Sequence, residues 1–228
     1  SSLRKGKLGN TTETLSSPAA ASCTPSFNNK YTFANFVVGE SNRLAYATAL
    51  EAALRPGETY NPLFIYARPG LGKTHLLHAI AAQVAQRRLA CVSVTAEQFT
   101  HDFISAIRSR TTEEFRHKYR SVDVLLVDDV HFIGGKEQTQ DGFFHLFNYL
   151  HNANLQIVIT SDRQPSALQR IEDRLRSRFQ WGLTAEILPP EIGTRTAILH
   201  MKARQNKLSV PDDVIAYIAS QITGSVRE

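Results

Sequence analysis

The sequence predicts an α/β fold, a parallel sheet with helices on both faces followed by a small helical subdomain. Three observations carry this. Short apolar runs bounded by turn residues alternate with stretches of helical spacing, the pattern of strands joined by crossover helices. A glycine-rich loop, "ARPGLGKT", lies between one such run and a helical stretch. Beyond about Leu188 strand patterns become sparse while helical spacing continues.

Residues 1–30, ending "TTETLSSPAAASCTPSFNNK", are rich in Ser, Thr, Ala and Pro and lack a sustained apolar period. They read as a flexible linker or tail, so the folded part is expected to begin near Tyr31. "SNRLAYATALEAAL" has helical spacing behind a Ser41 cap. "PLFIYA" is a strand, and "GKTHLLHAIAAQVAQRR" a helix opening directly from the glycine loop. "LACVSVTA" is a strand; "AEQFTHDFISAI" and "TTEEFRHKYR" are helices, the second with a Thr cap and an acidic first turn. "VDVLLVDDV" is a buried strand ending in acid, and "LQIVITSD" another strand. Between them "DGFFHLFNYLHNA" is a helix that Gly142 weakens by roughly 1 kcal/mol relative to Ala. "PPEIGTRTAILHMKARQNK" and "VPDDVIAYIASQIT" are helices, with Pro211 and the following acids suiting a first turn.

Composition narrows the function. The 228-residue chain is 42% hydrophobic, ordinary for a globular protein. No apolar run reaches the ~18 residues that span a membrane, and the N-terminus has no apolar signal region. Cys23 and Cys91 match no metal spacing, so a reduced cytosolic protein is the simplest reading. The net charge of +5 is concentrated in residues 1–30, where Arg4, Lys5, Lys7 and Lys30 face only Glu13. A strongly basic domain surface is therefore not expected, and any nucleic-acid contact must come from a local patch.

The chemistry starts at the loop. The phosphate-binding pattern is G-x-x-x-x-G-K-[ST], and here its first glycine is Ala67, followed by Arg68, Pro69, Gly70, Leu71, Gly72, Lys73 and Thr74. A triphosphate needs converging backbone N–H groups at a helix N-terminus with no Cβ in the way. Gly70 and Gly72 allow that approach, Lys73 sets a cation against the outer phosphates, and Thr74 offers a hydroxyl to Mg²⁺. Ala67 belongs where the strand enters the loop and is excluded only if its φ is positive. "VLLVDD" delivers Asp128 and Asp129 to the sheet's C-terminal edge, where ligands bind in such folds. Asp128 suits Mg²⁺ held through water, and Asp129 suits orienting or deprotonating an attacking water. Alone, the same pair is a common strand-end turn. "IVITSD" either sets Thr160, Ser161 or Asp162 between phosphate and carboxylates or simply ends a strand. Arg174, Arg176 and Arg178 in "IEDRLRSRFQWGL" either reach a neighbouring subunit's phosphate or form a solvated basic helix face.

The loop, "VLLVDD", "IVITSD" and "EDRLRSRF" stand in the order found in AAA+ ATPases. The longer strings "YTFANFVVGESNRLA", "FRHKYRSVDVLLVDDVHFIGGKEQTQ", "TSDRQPSALQRIEDRLRSRFQWGL" and "GSVRE" resemble the bacterial chromosomal replication initiator family, over about Tyr31 to Glu228. The resemblance implies a three-layer P-loop AAA+ domain at 31–187 and part of a helical lid at 188–228, binding ATP or ADP with Mg²⁺. It places Val37, Val38 and Asn42 over the adenine. Gly70, Leu71, Gly72, Lys73, Thr74 and His75 fall around the phosphates, and Thr74 and Asp128 at Mg²⁺. Asp128 and Asp129 match the acidic pair, Asp162 the sensor on the next strand, and Arg227 the lid's sensor arginine. Arg178 matches the arginine finger that touches ATP in the adjoining protomer, and Arg174 a protomer-contact arginine. The helix pair around "AEQFTHDFISAI" matches an insertion that steers protomers into an open helical filament. Ile104 and Lys136 match positions that hold single-stranded DNA.

The departures are Ala67, Gly142 in a helix usually acidic there, and Gln138 where some members are basic. The family's helix-turn-helix domain, which reads duplex origin boxes, is not among these residues, so duplex recognition is not assigned to them. The expected function is the ATP-binding core of an initiator that assembles on and opens the origin, with slow hydrolysis as its off-switch. A replicative helicase or regulators are further partners the family implies. The alternatives are a regulatory adaptor paralogue or a helicase-loader ATPase with little turnover.

Overall fold

The computed structural model describes residues 30–222. Five strands form one all-parallel sheet: β1 (Leu63–Tyr66), β2 (Cys91–Thr95), β3 (Val124–Asp128), β4 (Gln156–Ser161) and β5 (Leu183–Glu186), in the spatial order β2-β3-β4-β1-β5. Eight helices accompany them: α1 (Arg43–Leu54), α2 (Lys73–Gln86), α3 (Ala96–Ser109), α4 (Thr112–Arg120), α5 (Glu137–Asn152), α6 (Asp173–Phe179), α7 (Ile192–Gln205) and α8 (Asp212–Gln221).

Side-chain alternation along the strands divides the core in two. Leu63, Ile65, Val124, Leu126 and Val158 point to one face and pack with α1 and α2. Phe64, Leu125, Val127, Ile157 and Ile159 point to the other, where α3, α5 and α6 cover them with Phe99, Phe143, Phe147 and Phe179. Both faces are buried, which is why the strands read as continuous apolar runs rather than alternating ones. Ala45, Ala49, Ala52 and Ala53 of α1 are at most 1% exposed, and these small side chains let α1 lie close against α2.

Several local expectations need correction. Strand β5 was not anticipated: "LTAE" is four residues at a sheet edge and only its Ala185 is buried, too little for a periodic signal. What holds it is tertiary, with Leu183 N–H donating to the Pro62 carbonyl at 3.1 Å. Ser41 does not cap α1. The cap position is Asn42, whose side chain turns back to its own loop, while Ser41 Oγ is buried without a partner. Thr111 occupies the cap of α4 but its hydroxyl bonds nothing there; Thr95 does cap α3, accepting from Gln98 N–H at 3.1 Å. Pro211 is the cap residue of α8 rather than part of its first turn, which Asp212 and Asp213 supply.

Gly142 does not interrupt α5, which runs through it from Glu137 to Asn152. A Cβ there would lie 2.5 Å from the Phe103 ring, so the glycine admits α3 against α5. The last helices, α7 and α8, pack as a pair, with Arg195 Nε donating to the Ala219 carbonyl at 2.8 Å. The segment leading from β5 into α7 is tied to the loop before α1, Leu188 N–H donating to the Ser41 carbonyl at 3.0 Å.

Candidate nucleotide site

The C-terminal ends of β3, β4 and β1 lie side by side, and the loop after β1 rises from that edge. Ala67 still belongs to the sheet: its N–H donates to the Ser161 carbonyl at 3.2 Å and its methyl is 2% exposed. The left-handed residues of the loop are Gly70 (φ 82°) and Gly72 (φ 106°), not Ala67. An alanine is therefore accommodated where the pattern has glycine. Gly72 caps α2, whose first N–H groups open toward the loop, and a Cβ on it would come 3.1 Å from the Phe36 ring.

Lys73 is 7% exposed, and its Nζ donates to the Ala67 carbonyl at 3.0 Å. That uses one of three donors, and a buried ammonium beside a neutral carbonyl favours an incoming anion. Thr74 Oγ1 donates to Asp128 Oδ2 at 2.8 Å. The second Asp128 oxygen accepts from Thr160 Oγ1, which in turn accepts the Asp129 N–H at 3.0 Å. A hydroxyl and a carboxylate in contact are hard oxygen donors of the kind Mg²⁺ takes beside phosphates, so the residues fit that ion.

Asp129 is held in the left-handed region, φ 54°, just past the strand. Burial, and then the neighbouring charge of Asp128, push its carboxyl above the usual range, toward proton acceptance. Burial pushes Asp162 upward as well, but hydrogen bonds from Arg163 and the nearby His131 outweigh it and leave it below the usual value. His75 donates from Nε2 to the Thr32 carbonyl at 2.8 Å, and burial lowers its pKa, which keeps the imidazole neutral. Asn42 ties its loop together, donating to the Val37 carbonyl at 3.0 Å and accepting the Gly39 N–H at 2.9 Å.

These groups surround a cavity of about 520 Å³ between the sheet edge and α7. Of the residues expected from sequence, Val37, Asn42, Gly70, Leu71, Gly72, Lys73, Thr74, His75, Asp129 and Asp162 line it. Asp128 sits behind Thr74 and reaches the cavity through that contact. Val38 does not line it and is 43% exposed. Arg174 and Arg178 lie away from it on α6, while Ile104 on α3 and Lys136 at the start of α5 belong to neighbouring helices on one face of the sheet. Arg227 lies outside the described residues, as do residues 1–29 of the expected tail.

Sequence reasoning missed Phe36, His131 and the α7 residues Met201 and Lys202, all of which line the cavity. His131 lies two residues after Asp129 and was legible in principle. Met201 and Lys202 arrive from a helix more than a hundred residues away, and nothing local signals them. Thr160, one of three candidates in its stretch, is the one that binds both acids. Cys91 is buried with its thiol pushed up to about 12 by burial, so it is inert. No described helix is long and apolar enough to cross a membrane.

A phosphate cradle after β1 of this parallel sheet, with an acidic pair at the end of β3 and β4 between the two, defines a P-loop NTPase of the AAA+ class. Residues 27–186 match the model of the bacterial DnaA ATPase domain. The chain is 55% identical over 203 residues to the chromosomal replication initiator protein DnaA of Chloroflexus aggregans, covering 88% of this chain and 42% of that one. It therefore spans less than half the length of that relative. Domain III of the Thermotoga maritima replication initiation protein DnaA superposes with a TM-score of 0.86 at 45% identity, over 90% of this chain and 85% of that one. A replication initiator DnaA bound to AMPPCP and single-stranded DNA superposes at 0.84 and 42% identity, over 89% and 63% of the two chains. The chain belongs to the bacterial DnaA family and carries its ATPase domain.

Proposed function

We propose that the cavity binds ATP or ADP with Mg²⁺, and that ATP drives self-assembly of the protein into a filament that opens the origin and holds single-stranded DNA. The observation that carries this is the buried Lys73 ammonium at the mouth of α2, with the Thr74–Asp128 pair beside it. The relative solved with AMPPCP and single-stranded DNA supports the same ligands here. Lys73 and the N–H groups after Gly72 hold the phosphates; Phe36, Val37 and the loop pinned by Asn42 border the base. Thr74 and Asp128 would hold Mg²⁺, which offsets phosphate charge. Asp129 orients or deprotonates the attacking water, and Asp162 and Arg227 sense the outer phosphate. Hydrolysis is slow and ends the assembled state. Arg178 contacts the nucleotide of an adjoining copy, Arg174 contacts the protomer, and Ile104 and Lys136 touch single-stranded DNA. Duplex reading and helicase contact belong to parts of the family's longer proteins.

The test is a titration with labelled ATP and Mg²⁺ of the wild type, Ala67→Gly, Lys73→Ala and Arg178→Ala. Lys73→Ala alone should abolish binding, and Ala67→Gly should change it little. Arg178→Ala should bind normally and lose ATP-dependent assembly. Binding that appears only in Ala67→Gly would identify a decayed site and overturn the reading.

A further inference from the structure

Helix α6 carries three arginines, and their surroundings differ in kind. Arg174 pairs with Glu172 and Asp141, and Arg176 with Asp173. Among the described residues no carboxylate pairs with Arg178. Its guanidinium lies over the Trp181 ring, 3.6 Å from the centroid, with the Phe144 ring at 5.6 Å, and its Nε donates to Asn148 Oδ1 at 2.8 Å. Trp181 is 52% exposed; its backbone N–H donates to the Arg178 carbonyl at 3.2 Å, and its ring packs against the His151 ring at 5.1 Å.

Every partner of this guanidinium is neutral. An indole face and an amide oxygen orient a cation without cancelling its charge, whereas a carboxylate would do both. With Nε occupied by Asn148, the N–H groups on both Nη atoms are available to a phosphate. We propose that Trp181 and Asn148 are positioning residues that hold Arg178 oriented and un-neutralised for the nucleotide phosphates of a second copy of this chain. This rests on the assignment of Arg178 as a group acting in trans.

Trp181 is the single tryptophan of the sequence, so its emission reports the clamp directly. In dilute, nucleotide-free protein, Arg178→Met should change the intensity or maximum of that emission; an unchanged spectrum overturns the clamp whatever Arg178 does in trans. Trp181→Leu should weaken ATP-dependent assembly, followed by sedimentation, about tenfold, and Trp181→Phe should retain most of it. Asn148→Asp should lose at least as much as Asn148→Ala, because its carboxylate neutralises the arginine. ATP affinity of the isolated chain should stay within about twofold in all four, which separates positioning from misfolding. If Trp181→Leu and Asn148→Asp assemble like the wild type while Arg178→Met does not, the positioning role is wrong and the trans role stands. Normal assembly of Arg178→Met would overturn both.

Discussion

Replacing Thr160 with valine isolates one hydroxyl that serves both acids. Thr160 is fully buried on β4. Its hydroxyl donates to the Asp128 carboxylate and accepts the Asp129 N–H at 3.0 Å. Valine keeps the shape and removes both bonds. Losing a hydrogen bond to a charged acceptor costs roughly 1.5–3 kcal/mol, and leaving the Asp129 N–H unpaired about 1–3 kcal/mol. Burying a methyl in place of the hydroxyl returns about 1 kcal/mol. The net destabilisation is therefore roughly 1.5–5 kcal/mol, which at a urea slope of about 2.5 kcal/mol/M lowers the midpoint by about 0.6–2 M. The function should suffer separately. That N–H helps anchor Asp129 in its left-handed conformation, φ 54°. Without it single-turnover hydrolysis should fall at least about tenfold, while ATP affinity, which we assign to Lys73, should stay within a few-fold. Urea unfolding followed by Trp181 emission gives the stability, and single-turnover hydrolysis gives the rate. Thr160→Ser should recover most of both. A valine variant with wild-type midpoint and rate would show that the hydroxyl does not organise the acidic pair.

Asp129→Asn should stabilise the protein at neutral pH while removing hydrolysis. Burial and Asp128 raise this carboxyl's pKa in the fold, so its ionised form costs stability above that raised value. The difference between variant and wild type should shrink as pH falls through the raised value toward the ordinary range near 3.8; a pH-independent difference in urea midpoint would contradict the cause. Gly142→Ala should destabilise by about 1 kcal/mol, since crowding Phe103 outweighs the helix propensity gained. In a Phe103→Ala background the sign should reverse, which a double-mutant cycle reads directly. Asn42→Ala frees the 37–42 loop from two hydrogen bonds and should weaken ATP binding about tenfold in the labelled-nucleotide titration, with unchanged affinity arguing against a pinned loop.

How far the sequence reached depended on the range of the forces involved. The glycine loop, Lys73, Thr74 and the acid after β3 were legible because helix N-termini and strand ends are local, and the chemistry demands specific residue types there. The central strands β3, β4 and β1 were legible because burial on both faces leaves continuous apolar runs, and the edge strand β2 because Cys91, Val92 and Val94 are buried. Helix caps were less so. Ser41 and Thr111 carry capping chemistry, but Asn42 is committed to its loop and neither hydroxyl found a helix N–H. Strand β5 escaped because four half-covered residues carry no period, and the Leu183–Pro62 bond that helps hold it lies across the chain.

Local sequence thus determined the glycine loop at the start of α2, the order of the helices and of strands β1 to β4, and the position of the two adjacent acids at the end of β3. Tertiary structure decided which acid meets which hydroxyl, since Thr160 reaches Asp128 from a neighbouring strand. It also decided that Gly142 serves packing against Phe103, and that α7 closes the cavity with Met201 and Lys202. Among the three arginines of α6 it left Arg178 between an indole and an amide instead of a carboxylate. The physical reason is that backbone hydrogen bonds and periodicity act within a few residues. A side chain's partners come from strands and helices that only the closed sheet brings together.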